Sequence, residues 1–169
     1  MCIRDRELVH IITPFQQKLY RYALRIVGDS MVAEDVVQEL LIKIWKKKDQ
    51  FVDIDNKEAW CMTLTRNMSI DKTRRKKYRT SNIDDFHFIK DSSATPYQSV
   101  ESQDNMKKLH KIISGLTEKQ QTVVHLRDVE GYSYKEISEI TDYSVDQIKV
   151  YLHRARMILR KQINRSDYE

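Results

Sequence analysis

The stretch "SYKEISEITDYSVDQIKVYLHRAR", residues 133–156, carries the side chains whose types and spacing point most clearly to chemistry. Ser133 with Glu136 and Ser144 with Gln147 fit the pattern that opens helices, which predicts two helices around a corner at residues 141–143. Asp142 tolerates the left-handed backbone that such a corner needs. Helical spacing predicts an inward row and an outward row on the second helix. The inward row is Val145, Ile148, Leu152, Ala155 and Leu159, and the outward row is Asp146, Gln147, Lys149, Val150, His153, Arg154 and Arg156.

The outward row of the second helix has the chemistry of a surface that reads DNA. An α-helix fits the major groove, where Arg clamps guanine, Lys binds phosphate or guanine, and His hydrogen-bonds or stacks. The capped start, the short first helix and the three-residue turn add to this pattern. It predicts a DNA-binding helix-turn-helix, and the alternative is a solvated cationic face on an ordinary helical bundle.

A second cationic segment, "DKTRRKKYR" at residues 71–79, ends an earlier predicted helix. Lys and Arg in such density indicate contact with phosphates. Asn67 and Tyr78 are suited to exposed bases of a single strand, which proteins bind by basic tracks and stacking. Trp60 could also stack on a base, but its helical spacing with Leu64 and Met68 favours a place in the core.

The predicted helix at residues 31–48 has two unlike faces. One is an apolar stripe of Val37, Leu40, Leu41, Ile44 and Trp45, and the opposite face carries Asp35, Gln38, Glu39, Ile42 and Lys46. An acidic, partly apolar face repels phosphates and suits a protein partner, although a plain solvated face explains it equally well.

Composition predicts an all-α fold. A third of the residues are charged and the chain has only three Gly and two Pro, which favours helices over strands. The first helix is expected from Ile12, with Pro14 in its first turn and an apolar face of Phe15, Leu19, Tyr22, Ala23 and Ile26. The net charge of +5 agrees with a nucleic-acid partner. No apolar run approaches the ~20 residues of a membrane span and no signal peptide is visible, so a cytoplasmic location without membrane insertion is expected.

The residues give no sign of a metal site, a cofactor or a catalytic group. Cys2 and Cys61 lie far apart, and the five His residues are scattered. A recombinase or nuclease would need a nucleophile among Arg residues or clustered carboxylates, and neither arrangement stands out. We therefore expect a protein that is not an enzyme.

The chain is predicted to hold two small helical domains, residues 7–79 and 106–165, joined by a flexible acidic linker at residues 80–105. The linker lacks helical periodicity and is rich in Ser, Asn and Asp. The second domain has three capping-box starts, at Thr117, Ser133 and Ser144, after a helix near residues 106–113. Residues 1–6, "MCIRDR", translate back to a sequence like a transposon adaptor used for sequencing libraries, so they are excluded from the fold.

Three motifs, in this order, resemble bacterial sigma factors of the extracytoplasmic-function (ECF) type. "GDSMVAEDVVQELLIKIWKKKDQF" is similar to that family's second conserved region, and "EAWCMTLTRNMSIDKTRRKKYR" to its promoter-melting helix. "LTEKQQTVVHLRDVEGYSYKEISEITDYSVDQIKVYLHRARMILRK" resembles the family's C-terminal region. The chain departs from the family where Val150 and Tyr151 stand in place of the common Ser and Arg, which affects base preference there.

The resemblance implies a role for each candidate residue. It implies docking on the clamp helices of the largest subunit of core RNA polymerase, contact with the flap of the second-largest subunit, and binding to promoter DNA, both double-stranded and melted. It also implies an anti-sigma factor as partner and an acidic linker in the polymerase's RNA path. The implied docking residues are Asp35, Gln38, Glu39 and Ile42; those for the minus-ten element are Asn56, Lys57, Asn67, Arg74, Arg75 and Lys76; those for the minus-thirty-five element are Arg127, Lys149, Val150, His153 and Arg154.

The function expected from the residues and the resemblance is therefore that of a sigma factor, which directs core polymerase to promoters and assists DNA melting. The alternative is a helix-turn-helix regulator that acts without being a polymerase subunit. That alternative predicts tight operator binding by the chain alone, and it leaves the face around Asp35 unexplained.

Overall fold

The computed structural model describes residues 3–79, 112–113 and 115–166, and these residues form helices and short turns, so the predicted all-α class is confirmed. The chain divides into two compact units, Met1–Asp91 and Ser92–Glu169. The predicted linker at residues 80–105 and most of the helix predicted near residues 106–113 lie outside the described residues. The linker and the domain bounds therefore stay predictions.

The first unit is built from four helices: α1 (Ile3–Val27), α2 (Ser30–Lys46), α3 (Lys48–Val52) and α4 (Lys57–Arg79). The sequence Gly28-Asp29-Ser30 predicts a break between α1 and α2, and the structure confirms it. Gly28 has φ +69°, and Asp29 Oδ1 accepts hydrogen bonds from the backbone N–H groups of Met31 (2.9 Å) and Val32 (3.2 Å). Helices α1, α2 and α4 pack on one another around a shared core. Its fully buried members include Leu19, Tyr22, Ala23, Val36, Leu40, Ile44, Phe51 and Met62.

The start that the sequence predicts for α1 is wrong, because the helix begins at Ile3 and Pro14 lies inside it. Leu8 and Ile12 continue the face of Phe15 at helical spacing, and both are buried. That burial favours two further turns of helix and outweighs the local preference of Pro for a first turn. The Thr13 hydroxyl donates to the Val9 carbonyl at 2.6 Å beside the proline. Part of residues 1–6 is therefore helical, while the origin of that segment stays a prediction.

Two aromatic residues depart from the predicted core. Trp45 is 45% exposed at the end of α2, with the Lys48 ammonium 5.8 Å from its ring, whereas the smaller Ala33 and Val36 of the same helix are fully buried. Trp60 is half-buried and packs on Phe51 at 5.6 Å. The deepest residues of α4 are instead Ala59, Cys61, Met62, Thr65, Met68 and Ser69. A helix in contact with two others needs small side chains, which large-apolar periodicity does not reveal.

The second unit contains α5 (Glu118–Val124), a π-helical turn (His125–Val129), α6 (Tyr134–Thr141) and α7 (Val145–Ser166). All three predicted capping boxes are present. The Thr117 backbone N–H donates to Gln120 Oε1 at 3.0 Å, that of Ser133 to a Glu136 carboxylate oxygen at 2.8 Å, and that of Ser144 to Gln147 Oε1 at 3.0 Å. The matching bonds return from the third residue of each helix to the hydroxyl of the cap. Short-range sequence therefore defines where these helices begin.

The corner between α6 and α7 has the predicted left-handed residue, Asp142, with φ 60° and ψ 17°. Its backbone N–H donates to the Ser138 carbonyl at 2.9 Å, and the Ser138 hydroxyl donates to the Tyr143 carbonyl at 2.6 Å. The Ser138 side chain therefore links the end of α6 to the turn. Val145 was expected to face inward, but it is 37% exposed, because the first residue of α7 lies at the rim of the core. The core is Leu116, Val123, Leu126, Ile137, Ile140, Ile148, Leu152 and Ala155.

Within the described residues, no helix combines the length and the apolar character that crossing a membrane requires. The described residues also contain no group of three His, Cys, Asp or Glu side chains placed to hold a metal ion.

Candidate nucleic-acid and protein interfaces

The outward face of α7 carries four of the five residues expected at the minus-thirty-five element. Lys149, Val150, His153 and Arg154 are all exposed, and Val150 is 44% exposed although it is apolar. Lys149 and His153 line one side of α7 and share a cavity of about 270 Å³, whose wall is Tyr134, Lys149, Leu152, His153, Arg156, Met157 and Arg160. Val150 and Arg154 are one turn apart on the adjoining side. Helix α7 therefore presents a cationic cavity on one side and the exposed Val150 and Arg154 side chains on the adjoining side.

Arg127, the fifth expected residue, lies in the π-helical turn and is half-buried. Its Nη1 donates to the Tyr132 carbonyl at 2.8 Å, and its guanidinium carbon is 5.0 Å from the centre of the Tyr134 ring. Gly131, directly before Tyr132, has φ +81°, which favours glycine. Arg127 therefore packs against the Tyr134 ring and hydrogen-bonds the loop before α6, whereas Tyr134 itself lines the cavity.

Arg156 is joined to Asp128 by two hydrogen bonds across 28 residues, Nη2 to Oδ1 at 2.5 Å and Nε to Oδ2 at 3.3 Å. The hydrogen bond to Asp128 raises the pKa of the Arg156 guanidinium above its ordinary value. This two-point bond ties α7 to the turn after α5 and fixes the direction of the guanidinium. Arg156 was expected only to face outward, and its pairing was not predicted.

Sequence reasoning also missed Tyr134 and Arg160 as members of the cavity. A signal for Arg160 was present, since Lys149, His153, Arg156 and Arg160 are spaced by four, three and four residues along one stripe of a helix. The sequence contains no signal for Tyr134, because its position in the cavity depends on how α6 packs on α7.

In the first unit, two residues expected at the minus-ten element hold the loop between α3 and α4. Asn56 Oδ1 accepts from the Ala59 backbone N–H at 3.0 Å and so caps α4. The Lys57 ammonium donates to the carbonyls of Val52 at 3.0 Å and Ile54 at 2.7 Å. These bonds order the loop, leaving the amide N–H groups of the exposed Asn56 side chain to solvent or a ligand.

The remaining minus-ten candidates lie along α4. Asn67, Arg74, Arg75 and Lys76 are exposed. Asn67 and Arg74 are seven residues apart and so lie on the same side of the helix, about 10 Å along its axis. The geometry places an amide that can hydrogen-bond a base edge on the same side as a cation that can bind a phosphate.

The predicted outward face of α2 is exposed throughout: Asp35, Gln38, Glu39 and Ile42, with Ile42 53% exposed. Met31 at 76% and Trp45 at 45% exposure continue the same stripe at helical spacing. The structure thus enlarges the predicted face with two apolar side chains. Beside it, α1 and α2 enclose an apolar cavity of about 160 Å³ lined by Leu8, Val9, Ile12, Thr13, Gln16, Leu41, Ile44 and Trp45.

Comparison with known families matches both units. Residues 11–79 match the family profile described as sigma-70 region 2, and residues 106–159 match that described as sigma-70, region 4.

Two curated relatives illustrate the similarity of the whole chain. The ECF RNA polymerase sigma factor SigL of Mycobacterium tuberculosis (strain H37Rv) is 33% identical over 147 residues, covering 84% of this chain and 80% of the relative. SigW of Bacillus subtilis, also named an ECF RNA polymerase sigma factor, is 29% identical over 163 residues, covering 90% and 87%.

Among solved structures, the chain is similar to the sigma factor RpoE of Bartonella quintana, crystallised with the anti-sigma factor NepR. The TM-score is 0.77 at 25% identity, over 94% of this chain and 98% of the other. CnrH, solved with the cytosolic domain of CnrY, shares the fold with a TM-score of 0.66 at 17% identity, over 95% of this chain and 89% of the other.

Proposed function

This chain belongs to the ECF group of the sigma-70 family, and from that membership we propose how its two helical units share promoter recognition. As a member, it is a promoter-specificity subunit that binds core RNA polymerase and promoter DNA. One observation carries the assignment of surfaces: the unit with the basic helix α4 also exposes the acidic and apolar face of α2. Binding to DNA alone does not account for such a face, because its carboxylates repel phosphates, whereas docking on a polymerase subunit does account for it.

The second unit recognises the minus-thirty-five element. Helix α7 enters the major groove with Lys149, Val150, His153 and Arg154 towards the bases and phosphates. Arg154 is the residue suited to a bidentate contact with guanine, and Val150 suits the methyl group of thymine. Arg127 supports this surface through Tyr134 and contacts DNA at its edge with its remaining N–H groups.

The first unit recognises the minus-ten element and assists melting. The loop ordered by Asn56 and Lys57, together with Asn67, receives an unstacked base of one strand. Arg74, Arg75 and Lys76 hold the adjoining backbone. Capture of the base stabilises the open state against an unstacking cost of a few kcal/mol per base, so melting here needs no catalytic residue in the chain.

The face of α2 docks on the clamp helices of the polymerase's largest subunit. Asp35, Gln38 and Glu39 provide the polar contacts, and Ile42, with Met31 and Trp45 beside it, provides the apolar area. The second unit contacts the flap of the second-largest subunit, and the linker at residues 80–105 follows the RNA path. This assembly places the protein in the cytoplasm with the polymerase.

An anti-sigma factor is a further partner that we propose for this chain. The similarity of this chain to RpoE, which was crystallised with the anti-sigma factor NepR, supports this proposal. Such a partner would cover surfaces that polymerase or promoter DNA needs.

Run-off transcription with purified core polymerase tests the proposal. A promoter is first selected from a randomised library by core polymerase with this chain; addition of the chain should then produce a discrete transcript that core polymerase alone does not give. Binding of the selected DNA by the chain without polymerase, and no transcript with it, would support the regulator alternative instead.

A further inference from the structure

Three side chains outside the predicted sites form a cluster at the corner of the helix-turn-helix. The rings of Tyr143, in the turn, and Tyr151, in α7, meet edge to face with centres 5.6 Å apart and planes at 75°. The ammonium of Lys119, in the first turn of α5, lies 6.0 Å from the centre of the first ring and 5.9 Å from that of the second. One cation is therefore held against two aromatic faces contributed by two other elements.

The position of Lys119 needs an explanation. A positive charge in the first turn of a helix meets the positive end of the helix dipole, which disfavours it there. Lys119 is exposed, and both tyrosines are half-buried. The ring pair attracts the ammonium by cation–π interaction and limits the directions that the long side chain can take. The cluster thus concentrates a cation at one place on the surface.

That place is beside the end of α7 that enters the groove. Tyr143 directly precedes Ser144, the residue that caps α7, and Tyr151 lies one turn before Arg154. The cationic cavity with Lys149 and His153 is on the other side of the helix. A helix in the major groove has a phosphate strand along each side, and the described residues on the tyrosine side offer the Lys119 ammonium to the second strand.

We propose that Lys119 is a phosphate contact of the minus-thirty-five complex and that Tyr143 and Tyr151 are its positioning residues. This proposal rests on the proposed function, since it assumes that α7 lies in the major groove of promoter DNA. It adds a second anchoring point, opposite the cavity, which fixes the register of α7 without reading a base.

The test measures binding of the reconstituted holoenzyme to a selected promoter as a function of salt. Lys119→Ala should reduce the slope of log affinity against log salt by about 0.9, the value for one phosphate contact. The affinity lost between 50 and 200 mM salt should then be about threefold smaller than for the wild type. Lys119→Arg should restore the slope, because it retains the cation and stacks on the rings. Glu118→Gln, at the neighbouring position, is the matched control and should not reduce the slope.

A double-mutant cycle tests the positioning role. Tyr151→Leu keeps apolar bulk but removes the aromatic face, so Lys119→Ala should have a smaller effect on affinity in that background. Equal effects in both backgrounds would overturn the role of the rings. Circular dichroism of each variant controls for folding.

A truncated promoter that keeps the minus-ten element but lacks the minus-thirty-five element separates the remaining outcomes. On that DNA the defect of Lys119→Ala should disappear; a defect that persists, with weaker competition for core polymerase, would mean that Lys119 contacts polymerase and would overturn the proposal. An unchanged slope on full-length promoter would also overturn it while leaving the proposed function intact. Failure of the wild-type holoenzyme to bind any selected promoter would instead overturn the proposed function, and this proposal with it.

Discussion

The Lys72 ammonium in α4 lies 2.5 Å from Oε1 of Glu39 in α2, so the proposed polymerase-docking face and the proposed DNA-binding helix are joined by an ion pair. The Glu39 side chain remains half exposed, whereas that of Lys72 is 28% exposed. Glu39 can therefore meet a partner with its second carboxylate oxygen while Lys72 holds the first. Because the pair is partly solvated, its own contribution to stability is at most about 1 kcal/mol.

Glu39→Ala should weaken binding to core polymerase and leave base preference unchanged, because the carboxylate is lost from the docking face only. Lys72→Ala breaks the same ion pair but keeps the carboxylate, so its affinity for core polymerase should equal or exceed that of the wild type. Competition with a labelled sigma factor for core enzyme measures both. Equal losses in the two variants would show that the ion pair supports the fold and that Glu39 does not dock.

Arg154 and Arg156 should differ in their effect on promoter choice although they are two residues apart. Arg154 is exposed on the outward side of α7, while Arg156 is bonded to Asp128 at the cavity. Arg154→Ala should weaken the free energy of promoter binding by about 1–3 kcal/mol, because one base contact is lost, and should relax the base preference at that position. Arg156→Ala should weaken binding to all promoters alike, since Arg156 lines the cationic cavity, which we expect to contact phosphates rather than bases.

Selection from a promoter library with each holoenzyme distinguishes these two results. An unaltered preference for Arg154→Ala would exclude it as a base contact. A changed promoter consensus for Arg156→Ala would show that side chains on the cavity side of α7 contact bases.

The sequence predicted those parts of the fold that neighbouring residues determine. The capping boxes at Thr117, Ser133 and Ser144 need only a hydroxyl and an amide or carboxylate three residues apart, and each formed as expected. The left-handed Asp142 likewise follows from a short turn between two capped helices. Exposure of the outward residues of α2 and α7 follows from helical spacing alone.

Features that depend on packing between distant segments were not predictable in this way. Pro14 lies inside α1 because Leu8 and Ile12 are buried next to side chains of α2, among them Leu41 and Ile44. The partners of Arg127 and Arg156 likewise become clear only once the turn after α5 is placed against α6 and α7. A single sequence shows residue types at these positions but not their distances.

Asp142→Gly should leave the free energy of unfolding unchanged or raise it by up to about 1 kcal/mol, because glycine adopts a φ of 60° without steric cost. Asp146→Gly is the matched control: the same change, four residues later in the first turn of α7, should lower it by about 1 kcal/mol. Urea unfolding of the full chain measures both variants. Equal destabilisation by the two would contradict the left-handed turn.

Cys61 should remain a protonated, unreactive thiol until the first unit unfolds. It is fully buried, and burial, with a smaller contribution from Glu58, raises its pKa to about 12 from an ordinary value of 9.0. Above pH 9 the unfolded chain releases this proton while the folded chain keeps it, so the free energy of unfolding should fall with rising pH, by at most about 1.4 kcal/mol per unit. In a Cys2→Ser background, iodoacetamide should label Cys61 only in denaturant, and Cys61→Ala should reduce the loss of stability between pH 9 and 10. Rapid labelling at pH 8 without denaturant would contradict this prediction. It would mean that α4 separates readily from α1 and α2 and exposes the Cys61 thiol in solution.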